Sequence, residues 1–205
     1  MKKKTIALVL ACILCVGIGI GGTLAWLTAN SGPVTNTFTT SNIDITLDEG
    51  DDLDLKMIPG WTISKDPTVT VLKDSEDCWL FVQIDEGNGV GNYITYVVEE
   101  NWTKGDGTNI PANVYYRKVT DITADTDFIV IGNKGSDGTA DFEANKVLVK
   151  EGVTKAMMDS FLDDDGNVVT ADLPTLTFTA YATQLYKNNT TQFTAAEAWD
   201  NIPTT

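Results

Sequence analysis

The sequence contains no histidine among its 205 residues. This excludes a Ser-His-Asp triad, a Cys-His pair and the His-Glu-x-x-His zinc motif, because each needs an imidazole. Basic residues are also scarce, since 14 lysines and arginines are outnumbered by 29 aspartates and glutamates, for a formal charge of −15. A protein that follows nucleic-acid phosphates needs a basic surface, so we expect no nucleic-acid partner. Hydrophobic residues make up 42% of the chain, which is enough for a packed core.

The N-terminus has the layout of a signal peptide. Three lysines at positions 2–4 form a basic start, and an uncharged apolar run covers 6–20. Thr23 and Ala25 then supply small residues at the −3 and −1 positions of a cut between Ala25 and Trp26. The first 25 residues (1–25) are therefore predicted to be a signal peptide that a signal peptidase removes during export.

Two other interpretations of this segment stay open. The apolar run continues to Leu27 and is long enough to span a bilayer as a retained transmembrane helix. Cys12 lies behind a short apolar stretch, as in a lipid-modified protein, although the run continues well past it. The clustered glycines and the small −3 and −1 pair favour cleavage. We expect a secreted protein of the extracellular matrix or cell surface, which meets the membrane only through its uncleaved signal.

Cleavage would change both the charge and the cysteine count. The segment takes three lysines and no acid with it, so the mature chain would carry 11 basic and 29 acidic residues and a charge of −18. Cys12 and Cys15 would also leave, and Cys78 would have no partner for an internal disulfide. Cys78 begins an apolar run that is typical of a buried strand, so we expect a core residue rather than a reactive thiol.

Alternating and apolar segments predict strands through most of the mature chain. Within the segment 38–47, isoleucines and a leucine alternate with polar residues, which is typical of a strand with one solvent-exposed face. Short Thr-, Val- and aromatic-rich runs separated by Gly, Asn and Asp continue the pattern. These further predicted strands cover 68–72, 79–84, 93–98, 114–119, 128–131, 146–150 and 174–186.

Two short stretches have helical spacing. The first is 155–162, and the second is 194–199, where Thr194 followed by Glu197 forms a capping-box pattern. Many short strands with few helices indicate a sandwich. We therefore predict an all-β fold, a jelly-roll-like antiparallel sandwich with one or two short helices, in a single domain over 36–205.

Several motifs near the two ends of the chain occur together. They are 21–28 (GGTLAWLT), 36–38 (NTF), 43–47 (IDITL), 58–60 (IPG), 65–69 (KDPTV), 178–184 (FTAYATQ) and 195–199 (AAEAW). This combination resembles the TasA/camelysin family of secreted Gram-positive proteins, whose signal peptides are cut by a dedicated peptidase. The resemblance covers both ends and the first third of the chain and is thin between about 100 and 170.

The resemblance implies a jelly-roll-like extracellular protein that builds biofilm-matrix fibres. In such fibres the N-terminal segment of one subunit is thought to complete the sheet of the next, by strand addition to an open edge. Here residues 26–35 would be the assembly segment, with Trp26, Leu27, Val34 and Phe38 as its apolar side chains. Residues 35–40 are uncharged and β-prone and suit a donor better than the Ser-Gly-Pro stretch before them. The alternative is that 34–47 is the first strand of its own domain.

Other chemistry has less support from the residues. Some family members are classed as metallopeptidases, but a chain without histidine and without an Asp-Thr-Gly or Asp-Ser-Gly motif is not expected to be an enzyme. Asp163, Asp165 and Asn167 offer oxygen ligands for Ca²⁺, the only cofactor we consider. Because Gly166 falls at the wrong place for an EF-hand loop, a plain acidic turn is the favoured prediction.

The sequence leaves two non-enzymatic functions open. The favoured one is a fibre subunit, a homo-oligomer or filament formed through the N-terminal segment. The alternative is a monomeric cell-surface binding or adhesion module. Exposed tryptophans would favour the alternative, but Trp79 and Trp199 are expected to pack internally, and Trp61 and Trp102 stand beside turns.

Overall fold

Thr-, Val- and Ile-rich segments form the strands of the structure, a computed structural model that describes residues 42–50, 56–133 and 143–203. Two short helices, α1 (Lys155–Asp159) and α2 (Ala195–Asp200), lie near the C-terminal end of this range. The strands are β1 (Ile45–Asp48), β2 (Thr62–Ser64), β3 (Thr68–Val71), β4 (Cys78–Gly87), β5 (Ile94–Thr95), β6 (Thr103–Lys104), β7 (Val114–Val119), β8 (Thr126–Ile129), β9 (Lys146–Val149), β10 (Thr175–Gln184), β11 (Tyr186–Asn188) and β12 (Thr191–Gln192).

The strands form three sheets and one small hairpin, and all neighbouring strands are antiparallel. Sheet I has the order β1-β3-β8, sheet II the order β10-β4-β7-β6, and sheet III the order β2-β9-β5. Strands β11 and β12 pair as the hairpin. The longest pairing joins β10 to β4 over ten residues without a register shift, from Thr175 opposite Gly87 to Gln184 opposite Cys78.

Strand β4 is buried on both faces, which explains its unbroken apolar run. Successive side chains of a strand point to opposite faces. Leu80 and Val82 belong to one core cluster with Val69 of sheet I. Phe81 belongs to a second cluster on the other face, where the ring of Trp199 in α2 lies 5.3 Å from its ring. Sheets I and II therefore pack face to face, and α2 covers the opposite side of sheet II.

A third core cluster lies on sheet III. Its buried members are Val90, Ile94, Val147, Val149 and Val153. Leu176 of β10 packs against this cluster and also against the core between sheets I and II. Strand β10 therefore stands where the two cores meet.

The all-β antiparallel fold with two short helices is confirmed. The capping box at α2 is present, since Thr194 Oγ1 accepts a hydrogen bond from Glu197 N at 3.3 Å and Glu197 Oε2 accepts one from Thr194 N at 2.9 Å. The jelly-roll connectivity stays a prediction.

Individual elements differ from the predicted ones. The strand expected at 93–98 is reduced to β5, because Val98 pairs with Ile131 instead of continuing along β9. Strands β2 and β6 and the β11–β12 hairpin were not predicted, since two or three residues are too short to show alternation.

Several predictions lie outside the described residues. These are the signal peptide at 1–25, the Ala25–Trp26 cleavage site, the 35/36 domain boundary and the assembly side chains Trp26, Leu27, Val34 and Phe38. Within the three described ranges, no helix has the length and apolar character needed to cross a bilayer.

Candidate functional site

The residues considered for Ca²⁺ lie in the exposed turn between Leu162 and Val168. Asp163 Oδ1 accepts hydrogen bonds from Asn167 N at 2.8 Å and Asp165 N at 3.0 Å. These bonds, the one from the Asn167 backbone first, hold the pKa of Asp163 below its usual range. The Asp163 carboxylate is thus already hydrogen-bonded to backbone N–H groups of its own turn. Nowhere in the described part of the chain do three or more His, Cys, Asp or Glu side chains group as metal ligands would.

Cys78 has no access to solvent. It is fully buried in the core between sheets I and II, as the apolar run predicted. Burial, with a smaller contribution from the charge of Asp77, raises the pKa of its thiol to about 11. A thiol that is buried and protonated is a poor nucleophile.

The described tryptophans divide into packed and exposed side chains. Trp102 is 1% exposed and its Nε1 donates to Ile129 O at 2.8 Å, while Trp79 Nε1 donates to Phe193 O at 2.9 Å. Trp199 packs on sheet II, as predicted. Trp61 is different, because 63% of it is exposed. It is therefore the described tryptophan that is available for contact with another molecule.

Among the described strands, β10 lies at the edge of sheet II. It pairs with β4 on one side, and no described backbone group pairs with it on the other side. Strand β1 approaches it without pairing. Such an edge presents unpaired N–H and C=O groups to any extended chain.

Strand β10 lacks three of the usual protections of an edge strand against strand addition. Soluble proteins blunt long edge strands with charged residues, prolines or bulges. Strand β10, with the sequence TLTFTAYATQ, has ten residues and contains no charge and no proline, and its register with β4 has no bulge. The uncharged stretch extends from 173 to 186. This combination is compatible with the addition of an extended strand to β10.

An apolar groove of about 620 Å³ lies beside the start of β10. Residues 173–177 form one wall, so the groove and the open edge are continuous. Lys65 stands at the groove, where it pairs with Glu49 and places its Nζ 5.5 Å from the centre of the Phe178 ring. Apolar side chains that line the groove are Met57, Ile63, Val90, Ile94, Val147 and Leu176.

The turn that precedes β2 holds Trp61 at the surface. Trp61 N donates to Ile58 O at 3.0 Å, and Gly60 has a positive φ of 78°, which favours glycine at this position. Val149 O accepts from Gly60 N and Val149 N donates to Trp61 O, both at 2.9 Å, so two residues oppose one in a bulge.

No family model, curated protein or solved structure matches the chain. The TasA/camelysin resemblance therefore stays an expectation that rests on its motifs. The resemblance implied an open sheet edge, but the position of that edge at β10 and the groove beside it were not predicted, although the absence of charge from 173 to 186 was a visible signal.

Proposed function

We propose that this protein is a secreted, non-enzymatic structural subunit of an extracellular or biofilm-matrix fibre. Its copies assemble by donor-strand addition, in which the N-terminal segment of one copy pairs with an open sheet edge of the next. The observation that carries the proposal is the ten-residue, uncharged outer edge of β10, which pairs with no other described strand. The same proposal includes a jelly-roll-like connectivity for the antiparallel sandwich.

Charge supports this choice of contact. Copies of a mature chain at −18 repel one another over most of their surface. The two longest uncharged stretches of the mature chain are residues 26–43 at its N-terminus and residues 173–186 around β10. Contact between them brings two copies together without placing like charges side by side.

The geometry of the contact accounts for a filament. A donor segment and an acceptor edge are different surfaces of the same chain, so each copy can give to one neighbour and receive from another. Such a head-to-tail contact does not close on itself unless its rotation makes a ring, and an open filament results. The mature subunit therefore needs no second type of protein to elongate.

Deleting residues 26–34 from the mature chain tests the proposal. We expect negative-stain electron microscopy to show filaments for 26–205 and none for the deletion variant, which stays a folded monomer by circular dichroism and sedimentation. Filaments that persist unchanged after the deletion would contradict assembly through the N-terminal segment.

A monomeric binding or adhesion module is the second candidate, and exposed Trp61 supports it. Tryptophan supplies a large, rigid contact area for a ligand or partner. A mature chain that stays monomeric at high concentration but binds a cell-wall or glycan ligand saturably would favour this function over the fibre.

A further inference from the structure

A polar cleft lies at the end of sheet II where β4 begins and β10 ends. It is formed by the two residues before β4 and by the end of β10 with the hairpin that follows it. The lining side chains are Glu76, Asp77, Gln184, Tyr186, Asn188 and Asn189. The volume is about 320 Å³, near the lower end of the range of about 300–1,000 Å³ for small-ligand sites. The cleft therefore has room for a ligand of one or two small rings.

Main-chain hydrogen bonds hold the two sides of the cleft together. Leu185 N donates to Asp77 O at 3.0 Å, and Phe193 N donates to Leu185 O at 2.8 Å. The side chain of Leu185 is fully buried. Because side chains alternate along an extended chain, this burial turns Gln184 and Tyr186 outward, and both line the cleft. The cleft is thus built on main chain that the core fixes in place.

Tyr186 supplies an aromatic surface at the cleft, and 40% of this residue is exposed. The neighbouring Lys187 pairs with Glu197 of α2, so its ammonium group is directed away to the helix. A tyrosine offers a large, rigid contact area and loses little conformational entropy when it binds. An exposed ring of this kind can stack on the apolar face of a sugar ring.

Two of the polar lining side chains are held in place by the fold. Asp77 Oδ1 accepts a hydrogen bond from Asp121 N at 3.0 Å. Asn188 Oδ1 accepts hydrogen bonds from Thr190 N and Thr191 N, both at 3.0 Å. These bonds fix both side chains. Among the described residues, they leave the second oxygen of Asp77 and the amide NH₂ of Asn188 for a ligand.

The remaining polar groups match the hydroxyl groups of a sugar. Within the described part of the chain, the side chains of Glu76, Gln184 and Asn189 form no hydrogen bonds with other residues. A carboxylate accepts hydrogen bonds, an amide both donates and accepts them, and a hydroxyl can pair with either group. The ammonium group of a basic peptide only donates, so it would leave the amide NH₂ groups unused.

The charge of the lining restricts the ligand further. The described lining holds two carboxylates, those of Glu76 and Asp77, and no cationic side chain. A ligand that carries its own carboxylate or phosphate would meet like charge there, which costs affinity. The cleft therefore suits a ligand that has many hydroxyl groups and no negative charge.

We propose that this cleft binds one or two sugar units of a glycan without acidic groups. The Tyr186 ring stacks on a sugar face, Glu76 and Asp77 accept hydrogen bonds from sugar hydroxyls, and the amides of Gln184 and Asn189 donate to them. The proposal does not rest on fibre assembly, because it involves no pairing along β10. It gives a fibre subunit or a monomeric module the same means of attachment to a neutral polysaccharide.

Titration of the isotope-labelled mature chain by nuclear magnetic resonance tests the cleft. The neutral probes are short oligosaccharides of glucose, galactose and N-acetylglucosamine, and the acidic probe is an oligogalacturonate, each added up to about 10 mM to detect weak binding. We expect the side-chain amide signals of Gln184, Asn188 and Asn189 to shift saturably with a neutral probe and to stay unchanged with oligogalacturonate. No shift with any neutral probe would overturn the proposal.

Substitutions separate the cleft from the other exposed aromatic side chain. Tyr186→Ala should weaken binding of the neutral probe about tenfold, because it removes the aromatic anchor, whereas Tyr186→Phe keeps the ring and most of the affinity. Trp61→Ala is the control and should bind like the unchanged chain, since Trp61 does not line the cleft. Loss of binding in Trp61→Ala but not in Tyr186→Ala would overturn the assignment to the cleft.

Glu76→Gln covers the case in which Tyr186→Ala does not fold. Glu76 is exposed, and the substitution keeps the shape of the side chain while it removes the charge. We expect weaker binding of the neutral probe with an unchanged melting temperature. Binding equal to that of the unchanged chain would contradict a role for the Glu76 carboxylate in the cleft.

The outcomes separate this inference from the proposed function. Normal filaments without glycan binding would overturn the cleft assignment and leave the fibre proposal standing. Saturable binding by a chain that forms no filaments would support the cleft and contradict the fibre. Amide shifts with a trilysine peptide and with no neutral sugar would assign the cleft to a basic peptide, which would overturn the glycan proposal.

Discussion

The rings of Phe81 and Trp199 pack against each other with centroids 5.3 Å apart and fasten α2 to sheet II. Trp199 also meets the ring of Tyr181 edge-on at 5.7 Å. One helical side chain thus contacts β4 and β10, the central strand and the open edge strand of the same sheet. This contact supports β10 from the face of the sheet and does not involve its outer edge, which pairs with no other described strand.

Trp199→Ala should destabilise the fold strongly. Removing a large packed aromatic side chain costs about 3 kcal/mol, and the aromatic contacts add to that loss. Trp61→Ala is the control, because a side chain that is 63% exposed should change the free energy of unfolding by less than about 0.5 kcal/mol. Urea unfolding followed by circular dichroism measures both. Equal losses for the two variants would contradict the packing described for α2.

Acid should weaken the start of α2. A hydrogen bond from Lys187, followed by bonds from Thr194, lowers the pKa of Glu197 from 4.5 to about 2. Because the folded-state pKa is depressed, the stabilisation is present above pH 4.5 and is lost as the pH falls towards about 2. Glu197→Gln should therefore reduce the fall in stability over this range, as measured by urea unfolding at pH 7 and pH 3.

The control for this pH effect is Glu100→Gln, a substitution on an exposed turn. It should leave the pH dependence of unfolding close to that of the unchanged chain. If Glu197→Gln behaved in the same way, the capping box would not be the source of the acid sensitivity.

A lysine on the open edge should block assembly without unfolding the subunit. Thr177 is exposed, lines the groove and stands opposite Asp85 of β4. In Thr177→Lys the ammonium can pair with Asp85 within the monomer, while a strand added to β10 would have to desolvate it. We expect loss of filaments by electron microscopy with little change in melting temperature. Thr190→Lys, on an exposed turn, should still form filaments.

Salt and mild acid should speed filament formation. The mature chain at −18 repels its copies, and added salt shortens the range of that repulsion to about 8 Å at 0.15 M. Lower pH reduces the negative charge as carboxylates bind protons. Light-scattering time courses at several salt concentrations and at pH 7 and pH 5 measure the effect. An assembly rate independent of both would contradict a contact limited by charge repulsion.

Local sequence patterns predicted much of the fold because they depend on neighbours in the chain. The apolar run that begins at Cys78 predicted a buried strand, and Thr194 with Glu197 predicted a capped helix. Strand β2 was not predicted, since its three residues pair with β9 more than eighty positions away. Distant pairing of that kind leaves no period in a short segment.

The sequence by itself determined the absence of imidazole chemistry, the strong negative charge, the strand-rich composition and the uncharged stretches at 26–43 and 173–186. Only the tertiary structure decided that β10 is an edge strand while β4 is central, although both are ten-residue strands. It also decided that Trp102 is buried and Trp61 exposed, although both stand beside turns. The reason is that the partners on each side of a strand or ring come from distant parts of the chain. Whether a strand lies at the edge of a sheet is decided only when the positions of all the other strands are fixed.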